Sequence, residues 1–213
     1  YQLCNQFCSV TLSAVYHDIL KDRLYTLGAN HRLRRSSQTA IHHIFRALVR
    51  LLAPAITFTA DEAWSYATAG CEYADDSVHL QDWPEVPADW RNAALDAEIG
   101  ALLKGRAPVN KRPEPVRQAG IIGKSLDATV TLHVPAGDAI APVVERHRDF
   151  LPELFIVSAV NVATASSGPL EAVVQPATTL GLHRCPRCWR WVPALAEKAP
   201  EATCPRCVSA LSG

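Results

Sequence analysis

The stretch HRCPRCWRWVPALAEKAPEATCPRC, residues 183–207, carries the most specific signal of the sequence. Two residues separate Cys185 from Cys188, and after fifteen further residues the same spacing recurs in Cys204 and Cys207. Each pair of thiolates can bind one edge of a tetrahedral Zn2+, and the linker lets the second pair close the other edge. Because four sulfur ligands leave no open coordination position, the spacing predicts one structural zinc ion.

This zinc-binding module is predicted to span residues 181–213, which are too few to bury a stable core, so the metal would supply much of the folding energy. Two disulfides are the alternative. No signal peptide opens the chain, however, and the reducing cytosol favours zinc. The other cysteines, Cys4, Cys8 and Cys71, lack partners at metal spacing and are predicted to pack as small apolar residues.

Basic and aromatic side chains surround the four cysteines. Arginines neutralise phosphates, and indole rings can stack on unpaired bases. Trp189 directly follows a ligand, so packing over the metal and stacking on a base are equally expected, whereas Trp191 is the better stacking candidate if it is exposed. The predicted nucleic-acid contacts of this segment are Arg187, Trp189, Arg190, Trp191 and Arg206.

The formal net charge of zero conceals a strong asymmetry along the 213 residues. Residues 1–60 carry +5, residues 61–103 carry −9, residues 104–182 carry +1 and residues 183–213 carry +3. Attraction to phosphates depends on nearby lysines and arginines more than on net charge, so either basic end could hold a polyanion. Solvated helix faces are the alternative.

Apolar periodicity predicts three helices in the first part of the chain. The first covers residues 2–27, the second is capped by Ser36 or Ser37, and the third opens at Thr59 with a capping box and turns Trp64 inward. Together they predict an antiparallel helical bundle.

The period of the sequence changes in its middle part. A helix capped by Asp89 is followed by a loop over residues 105–123. Alternating or β-branched runs then predict strands over 128–134, 155–162 and 170–175, with a short helix between the first two. This pattern indicates a small α+β unit.

The predicted fold class is therefore multidomain and mainly α. The expected domains are the helical bundle over 1–88, a helical connector with the small α+β domain over 89–180, and the zinc module over 181–213. No apolar run reaches the roughly 18 residues that span a bilayer, so no membrane partner is expected. Because no signal peptide is recognised, the chain is predicted to be cytoplasmic. The absence of methionine, even at position 1, predicts a piece of a longer protein.

The motifs, taken in order, resemble those of bacterial isoleucyl-tRNA synthetases. The matching stretches are SAVY (13–16), DILKDRLY (18–25), LAPAITFTADEAW (52–64), SVHLQDWP (77–84), VNK (109–111), IGKSL (122–126), LFIVSAV (154–160) and the two cysteine pairs. The resemblance implies an anticodon-binding helical domain, a following domain and a terminal zinc module. Two prolines, Pro113 and Pro115, fall where the family runs as a helix, so that helix is either shortened or replaced by a loop.

The resemblance also implies a function, namely recognition of an isoleucine tRNA through its anticodon stem-loop. The family activates isoleucine with ATP and esterifies it to tRNA, and its catalytic and editing domains, expected partners here, would lie upstream. The family's Lys-Met-Ser-Lys-Ser loop and His-Ile-Gly-His signature are absent from this sequence, so no catalytic residue is predicted. The fragment is expected to be a monomer that does not aminoacylate alone.

Within this hypothesis, a further set of basic residues is predicted to contact backbone phosphates: Lys21, Arg23, Arg32, Arg34 and Arg35. For each of them the alternative is a solvated helix end or loop. A second hypothesis is a four-Cys zinc finger acting on DNA, as in some DNA glycosylases, although such enzymes lack the KDRLY and DWP motifs. A free-standing interaction protein is a third.

Overall fold

The structure is a computed structural model that describes residues 2–69, 76–111, 122–166, 168–196 and 202–212. Its helices are α1 (Gln2–Gln6), α2 (Asp18–Thr26), α3 (Arg32–Leu52), α4 (Thr57–Thr68), α5 (Ala93–Lys111), α6 (Ala141–Arg146), α7 (Leu151–Phe155) and α8 (Pro205–Ser212). Its strands are β1 (Ala128–Pro135), β2 (Ala159–Ala165), β3 (Glu171–Pro176), β4 (His183–Arg184) and β5 (Trp191–Val192). The described residues are thus mostly helical with a small sheet, as predicted. None of these helices is long and apolar enough to cross a bilayer.

The first helix runs without a break from α1 to α2, which confirms the predicted helix over 2–27. Its middle part, Phe7–His17, is wound as a π-helix. The helix ends at Thr26 because Leu27 takes an extended backbone conformation, with φ −78° and ψ 152°. The Gly28 carbonyl then accepts a 3.0 Å hydrogen bond from the His31 N–H, which closes the turn into α3.

The starts of α3 and α4 differ from the sequence prediction. At α3, His31 is the cap, because its Nδ1 accepts from the Leu33 N–H at 3.2 Å. The predicted caps Ser36 and Ser37 therefore lie inside the helix. At α4, the Ala60 N–H already donates to the Ile56 carbonyl at 2.8 Å, so the helix begins before the predicted capping box and has no side-chain cap.

The hydrophobic core between α3 and α4 is built around Trp64, whose side chain is fully buried as predicted. Val49 and Ala53 contribute from the end of α3, Ala60 from α4, and Val78 from the segment after α4. Phe45 also packs against this cluster, and the Arg46 guanidinium lies over the Trp64 ring. The small side chains of Ala53 and Ala60 let the two helices pack closely around the ring.

Asp61 joins α4 to the segment that follows it. Its Oδ1 accepts from the Ser77 hydroxyl at 2.6 Å and from the Val78 N–H at 3.0 Å. These two hydrogen bonds, the Ser77 bond first, lower the pKa of the Asp61 carboxyl, because they favour the ionised form.

We expect Asp61→Asn to destabilise the fold in a pH-dependent way. A lowered pKa in the folded state stabilises the protein above the carboxyl's ordinary pKa of about 4, and this contribution is lost as the pH falls through the folded-state value. The difference in melting temperature between the two proteins should therefore be largest near pH 6 and shrink below pH ~4. Glu62→Gln, at the exposed neighbouring position, is the control, and a difference that stays constant down to pH ~3 would contradict the assignment.

Helix α5 begins at a different cap from the predicted one. Asp89 lies in a short 3-10 turn, Ala88–Trp90. The side chain that caps α5 is Asn92, whose Oδ1 accepts from the Leu95 N–H at 3.0 Å. Amide and carboxylate oxygens serve equally well as caps, so the sequence alone does not distinguish between them.

The loop predicted over residues 105–123 is wrong in its first part, because α5 continues to Lys111. Residues 112–121 lie outside the described ranges. The predictions for Pro113 and Pro115 fall in that segment.

Three strands form the sheet of the α+β part, in the order β2-β1-β3. The central β1 pairs in parallel with β2, where Val130 faces Val160, and antiparallel with β3, where Val130 faces Val174. Parallel strands need a long crossover, and here α6 and α7 lie between β1 and β2 in the chain. Along β1, Val130, Leu132 and Val134 are buried while Thr131 and His133 are only partly buried, which matches the apolar alternation of the sequence.

The second strand begins later than the sequence predicts. Residues 155–162 are rich in β-branched side chains, yet Phe155 is the last residue of α7 and β2 starts only at Ala159. Between them, Ile156 takes a left-handed backbone conformation with φ 56°, which ends the helix. Burial explains the apolar composition, because Phe155 and Val157 belong to the same core as β1, and Val160 and Val162 pack against it.

Helix α2 occupies a central place in the fold. Its Ile19 is buried in the same core as Val130 and Leu132 of β1 and Leu102 of α5. The helix therefore packs against the α+β part while it also precedes α3 in the helical part. Asp22 and Thr26 of the same helix contact the segments that carry the four cysteines.

Candidate metal centre and nucleic-acid surface

The four predicted metal ligands come together. One Sγ atom from each of Cys185, Cys188, Cys204 and Cys207 lies within 4.8 Å of all the others, and all four residues are buried. The Sγ atoms of Cys188 and Cys204 are 3.7 Å apart. Zinc–sulfur bonds of about 2.3 Å in a tetrahedron separate the sulfurs by about 3.8 Å, whereas a disulfide bond measures about 2.05 Å. The donor set therefore fits one tetrahedral metal ion and no disulfide.

The backbone around the first cysteine pair forms a tight knuckle. The Trp189 N–H donates to the Cys185 carbonyl at 2.9 Å, and the Cys185 N–H donates to the Arg190 carbonyl at 2.9 Å. This turn requires a left-handed conformation at Trp189, with φ 64°, which a side-chain-bearing residue adopts only when its surroundings hold it there. The strands β4 and β5 pair on either side of the knuckle.

The second cysteine pair lies at the start of α8. Pro205 occupies the first helical position, where its missing N–H costs nothing. The Cys204 carbonyl accepts from the N–H groups of Cys207 at 2.9 Å and Val208 at 3.0 Å. The first turn of α8 therefore fixes the spacing between the two sulfurs of this pair.

Hydrogen bonds favour a negative charge on the sulfur of Cys185. Burial alone would raise the pKa of this thiol, but the backbone N–H groups of residues 188, 204 and 187 outweigh it and lower the pKa to about 6. The Cys204 N–H is 3.3 Å from the Cys185 Sγ. Burial raises the pKa of the Cys188 and Cys207 thiols, so their ionisation calls for a cation within the cluster.

The arginines beside the cysteines contact helix α2. Arg190 Nη2 and Arg206 Nη2 both donate to Asp22 Oδ2, at 3.1 Å and 2.6 Å. Arg187 Nη1 donates to the Thr26 carbonyl at 2.5 Å. Burial alone would lower the pKa of the Arg206 guanidinium, but the Asp22 carboxylate raises it and so keeps the charge. The three predicted phosphate contacts thus lie in an internal interface, and their role in RNA binding stays a prediction.

The two tryptophans of this segment have different surroundings. Trp191 is partly buried, its Nε1–H donates to Asp127 Oδ1 at 3.0 Å, and its backbone N–H donates to the Ser158 hydroxyl at 2.8 Å. Trp189 is 48% exposed. The condition for stacking, an exposed ring, is therefore met by Trp189 rather than by Trp191.

Two cations outside the set of predicted contacts lie over the Trp189 ring. Lys124 Nζ is 4.2 Å from the ring centroid, and the Arg184 guanidinium carbon is 5.7 Å from it. Lys124 belongs to the IGKSL stretch, and Arg184 precedes the first cysteine ligand. The sequence signal for these two residues is that each stands close to other basic or aromatic residues. Sequence spacing alone, however, does not predict that residue 124 lies next to residue 189.

The predicted phosphate contacts in residues 21–35 differ in how exposed their charged groups are. Lys21 is exposed and pairs with Asp18 at 2.9 Å, while Arg32 and Arg35 are exposed at the start of α3. Arg23 donates from Nε to Glu153 Oε2 at 2.6 Å. Arg34 Nη1 donates to the carbonyl of residue 27 at 2.9 Å. Lys21, Arg32 and Arg35 therefore have their charges turned outward, whereas Arg23 and Arg34 support the fold.

A groove of about 400 Å3 separates α2 and α7 from the first cysteine pair. Its walls include Lys21, Tyr25, Ile156 and Trp189. Tyr25 is 78% exposed. An exposed phenol, an exposed indole and a lysine around one groove match the stacking-plus-charge surfaces that bind single-stranded nucleic acid.

Comparison with known proteins gives consistent matches. The family described as "Anticodon-binding domain of tRNA ligase" matches residues 1–132. The isoleucine–tRNA ligase of Syntrophotalea carbinolica is 38% identical over 219 aligned residues, which cover 100% of this chain and 23% of that protein. The ligase of Fervidobacterium nodosum is 39% identical over the same share of both chains, and that of Laribacter hongkongensis is 39% identical over 97% of this chain and 21% of its own. The chain thus spans less than a quarter of these relatives.

Proposed function

This chain belongs to the family of anticodon-binding domains of tRNA ligases, and we propose that it is the tRNA-recognition part of an isoleucine–tRNA ligase. The observation that carries the proposal is similarity over the whole chain, at 38% identity, to a protein named isoleucine–tRNA ligase. The part described would bind the anticodon stem-loop of an isoleucine tRNA and would not aminoacylate alone. We further propose that it works in the cytoplasm, as a monomer, together with the catalytic and editing parts of the ligase.

The exposed cations and rings support RNA as the ligand. Lys21 and Tyr25 on α2 and Trp189 beside the metal ligands line one groove, and Lys124 lies on the Trp189 ring. RNA loops are recognised by stacking of unpaired bases on aromatic rings together with cations on phosphates. An anticodon loop presents such unpaired bases.

We propose that the metal is Zn2+ and that its role is structural. Four thiolates in a closed tetrahedron are the typical donor set of structural zinc. The ion would hold the knuckle and α8 together and would leave no coordination position for a substrate. The ligands would be Cys185, Cys188, Cys204 and Cys207.

Filter binding of the zinc-loaded chain to isoleucine tRNA over a salt series tests the proposed function. We expect log Kd to rise linearly with log salt concentration, because bound cations release counterions from the phosphates. A tRNA with a different anticodon and a DNA duplex should compete poorly. Absent binding, salt-independent binding or stronger binding to the duplex would contradict the proposal, and the last would favour the DNA-binding alternative.

We expect Trp189→Ala to weaken tRNA binding by about tenfold or more without loss of metal. Stacking of one base on an aromatic ring contributes about 1–3 kcal/mol. Trp83→Ala, at a tryptophan that is 66% exposed in the segment before α5, is the matched control and should leave the Kd unchanged. Equal Kd values for the Trp189 variant and the original chain would remove this ring from the site.

A further inference from the structure

We propose that Asp22 is a positioning residue, which holds the four-cysteine module (β4, β5, α8 and the four cysteines) against α2 and so fixes the Trp189 ring at the groove. The consequence for tRNA rests on the proposed function, whereas the docking itself does not. The sequence assigns no role to this acid, which stands in the middle of the basic stretch KDR at residues 21–23.

The Asp22 carboxylate is shared by two guanidinium groups. Its Oδ2 accepts from Arg190 Nη2 at 3.1 Å and from Arg206 Nη2 at 2.6 Å. The exposed fractions of the three side chains are 19%, 17% and 32%, so solvent screens these ion pairs only partly. At this depth each charged group is stabilised by its partner, because removal of one member leaves the other both unpaired and poorly solvated.

The same carboxylate reaches both halves of the metal site. Arg190 follows the first cysteine pair by two residues, and Arg206 lies between Cys204 and Cys207. A single residue of α2 therefore fixes the knuckle and α8 at once. A metal ion bound by the four cysteines would join these halves from inside the module, and Asp22 joins them from outside.

Other contacts place the module on the C-terminal end of α2. Arg187 Nη1 donates to the Thr26 carbonyl and lies 3.5 Å from the Sγ of Cys207, which links the helix end to a ligand. Just beyond the helix, a Cβ added at Gly28 would be 3.2 Å from the Ala210 carbonyl oxygen of α8. Such close packing leaves the module little freedom to shift along α2.

This arrangement predicts that removing the negative charge of Asp22 weakens tRNA binding. Long-range electrostatics alone would make removal of an acidic charge near bound RNA strengthen the binding. If Asp22 instead positions the module, its neutralisation frees Arg190 and lets the adjacent Trp189 move, so tRNA binding weakens. The sign of the change in affinity therefore distinguishes the two roles.

The experiment compares Asp22→Asn with Asp18→Asn in the zinc-loaded chain. Both remove one negative charge from α2, but the partners of Asp18 are Lys21 and Arg106, outside the module. We expect Asp22→Asn to speed zinc release to a chelator by about tenfold and to weaken tRNA binding by a similar factor, because it unpairs two partly buried guanidinium groups. Asp18→Asn should change the rate of zinc release by less than about twofold, because neither of its partners belongs to the module, and it should not weaken tRNA binding, since it removes only a negative charge.

Two further variants separate positioning from a general loss of structure. Asp22→Glu keeps the charge and should restore most of the tRNA affinity, while circular dichroism should show the same helix content in all variants. Arg206→Gln should weaken binding without changing its salt dependence, whereas loss of a phosphate contact would lower that slope by about one.

The outcome that overturns the proposal is unchanged zinc release in Asp22→Asn together with equal or tighter tRNA binding. A lowered salt slope for Arg206→Gln would also overturn it, because it would assign that arginine to a phosphate. Zinc release is measured without RNA, so it decides the docking even if the original chain fails to bind tRNA, a result that would contradict only the proposed function.

Discussion

Cys204→Ser is expected to abolish stoichiometric metal binding and to unfold the four-cysteine module while the rest of the chain stays folded. Its Sγ lies 3.7 Å from that of Cys188, within the cluster that the metal would bridge. A serine hydroxyl does not ionise at neutral pH and is a poor ligand for zinc. Structural zinc contributes about 10–16 kcal/mol to the folding of small finger peptides, so even a partial loss exceeds the stability of this module.

The small apolar content of the module explains why we expect unfolding rather than relaxation. Among the module residues that the structure describes, the buried cluster consists of the four cysteines, with Val192 and Leu195 packed against them. Zinc per chain can be measured by mass spectrometry, and the module's exposure by limited proteolysis, with cleavage expected after Arg184 or Arg190. Helix content should fall only by the contribution of α8.

Cys8→Ser is the matched control for this experiment. Cys8 is a free, half-buried cysteine of the first helix, far from the metal ligands in sequence. The variant should keep one zinc per chain and resist proteolysis as the original chain does. A Cys204→Ser chain that retains stoichiometric zinc and a protected module would show that the four-cysteine site is not the metal centre.

The clustering of the four cysteines could be predicted from the sequence because it depends on local spacing. Two ligands separated by two residues form a knuckle whatever the rest of the fold does, and two such pairs complete one tetrahedron. The same holds for Trp64, whose burial follows from helical periodicity. Patterns of this kind depend on residues within a few turns of each other.

Element boundaries were less predictable, because several residues compete for the same role. His31 caps α3 where serines 36 and 37 were expected, since an imidazole nitrogen accepts the Leu33 N–H as a hydroxyl would. Residues 155–162 have strand composition, but burial beneath the sheet demands the same apolar side chains from the end of α7. Composition reports burial in both cases and does not identify the backbone conformation.

The roles of the arginines could not be read from the sequence at all. Arg190 and Arg206 find their partner Asp22 at separations of 168 and 184 residues. An arginine next to a metal ligand can bind a phosphate or an internal carboxylate equally well. Whether a carboxylate lies within reach depends on the tertiary fold. The role of Lys124 was unpredictable for the same reason, because Lys124 lies over the Trp189 ring only when the four-cysteine module is docked in place.

Trp64→Ala is expected to lower the free energy of unfolding of the helical part by about 3–5 kcal/mol, the usual cost of removing a buried aromatic side chain. The Trp64 ring is 0% exposed and belongs to one buried cluster with Val49, Ala53 and Ala60, so its removal leaves a cavity in the core. Chemical denaturation followed by circular dichroism measures the change.

The same substitution should weaken tRNA binding only through loss of folded protein. Trp64 lies in the core between α3 and α4, and the packing that it supports holds Arg32 and Arg35 at the start of α3. Cooling or a stabilising osmolyte should therefore restore affinity in Trp64→Ala, whereas neither should rescue Trp189→Ala. Trp64→Phe, which keeps most of the ring volume, should cost clearly less stability than Trp64→Ala. Equal stability of the alanine variant and the original chain would contradict the packing of this core, because a cavity of that size cannot be free of cost.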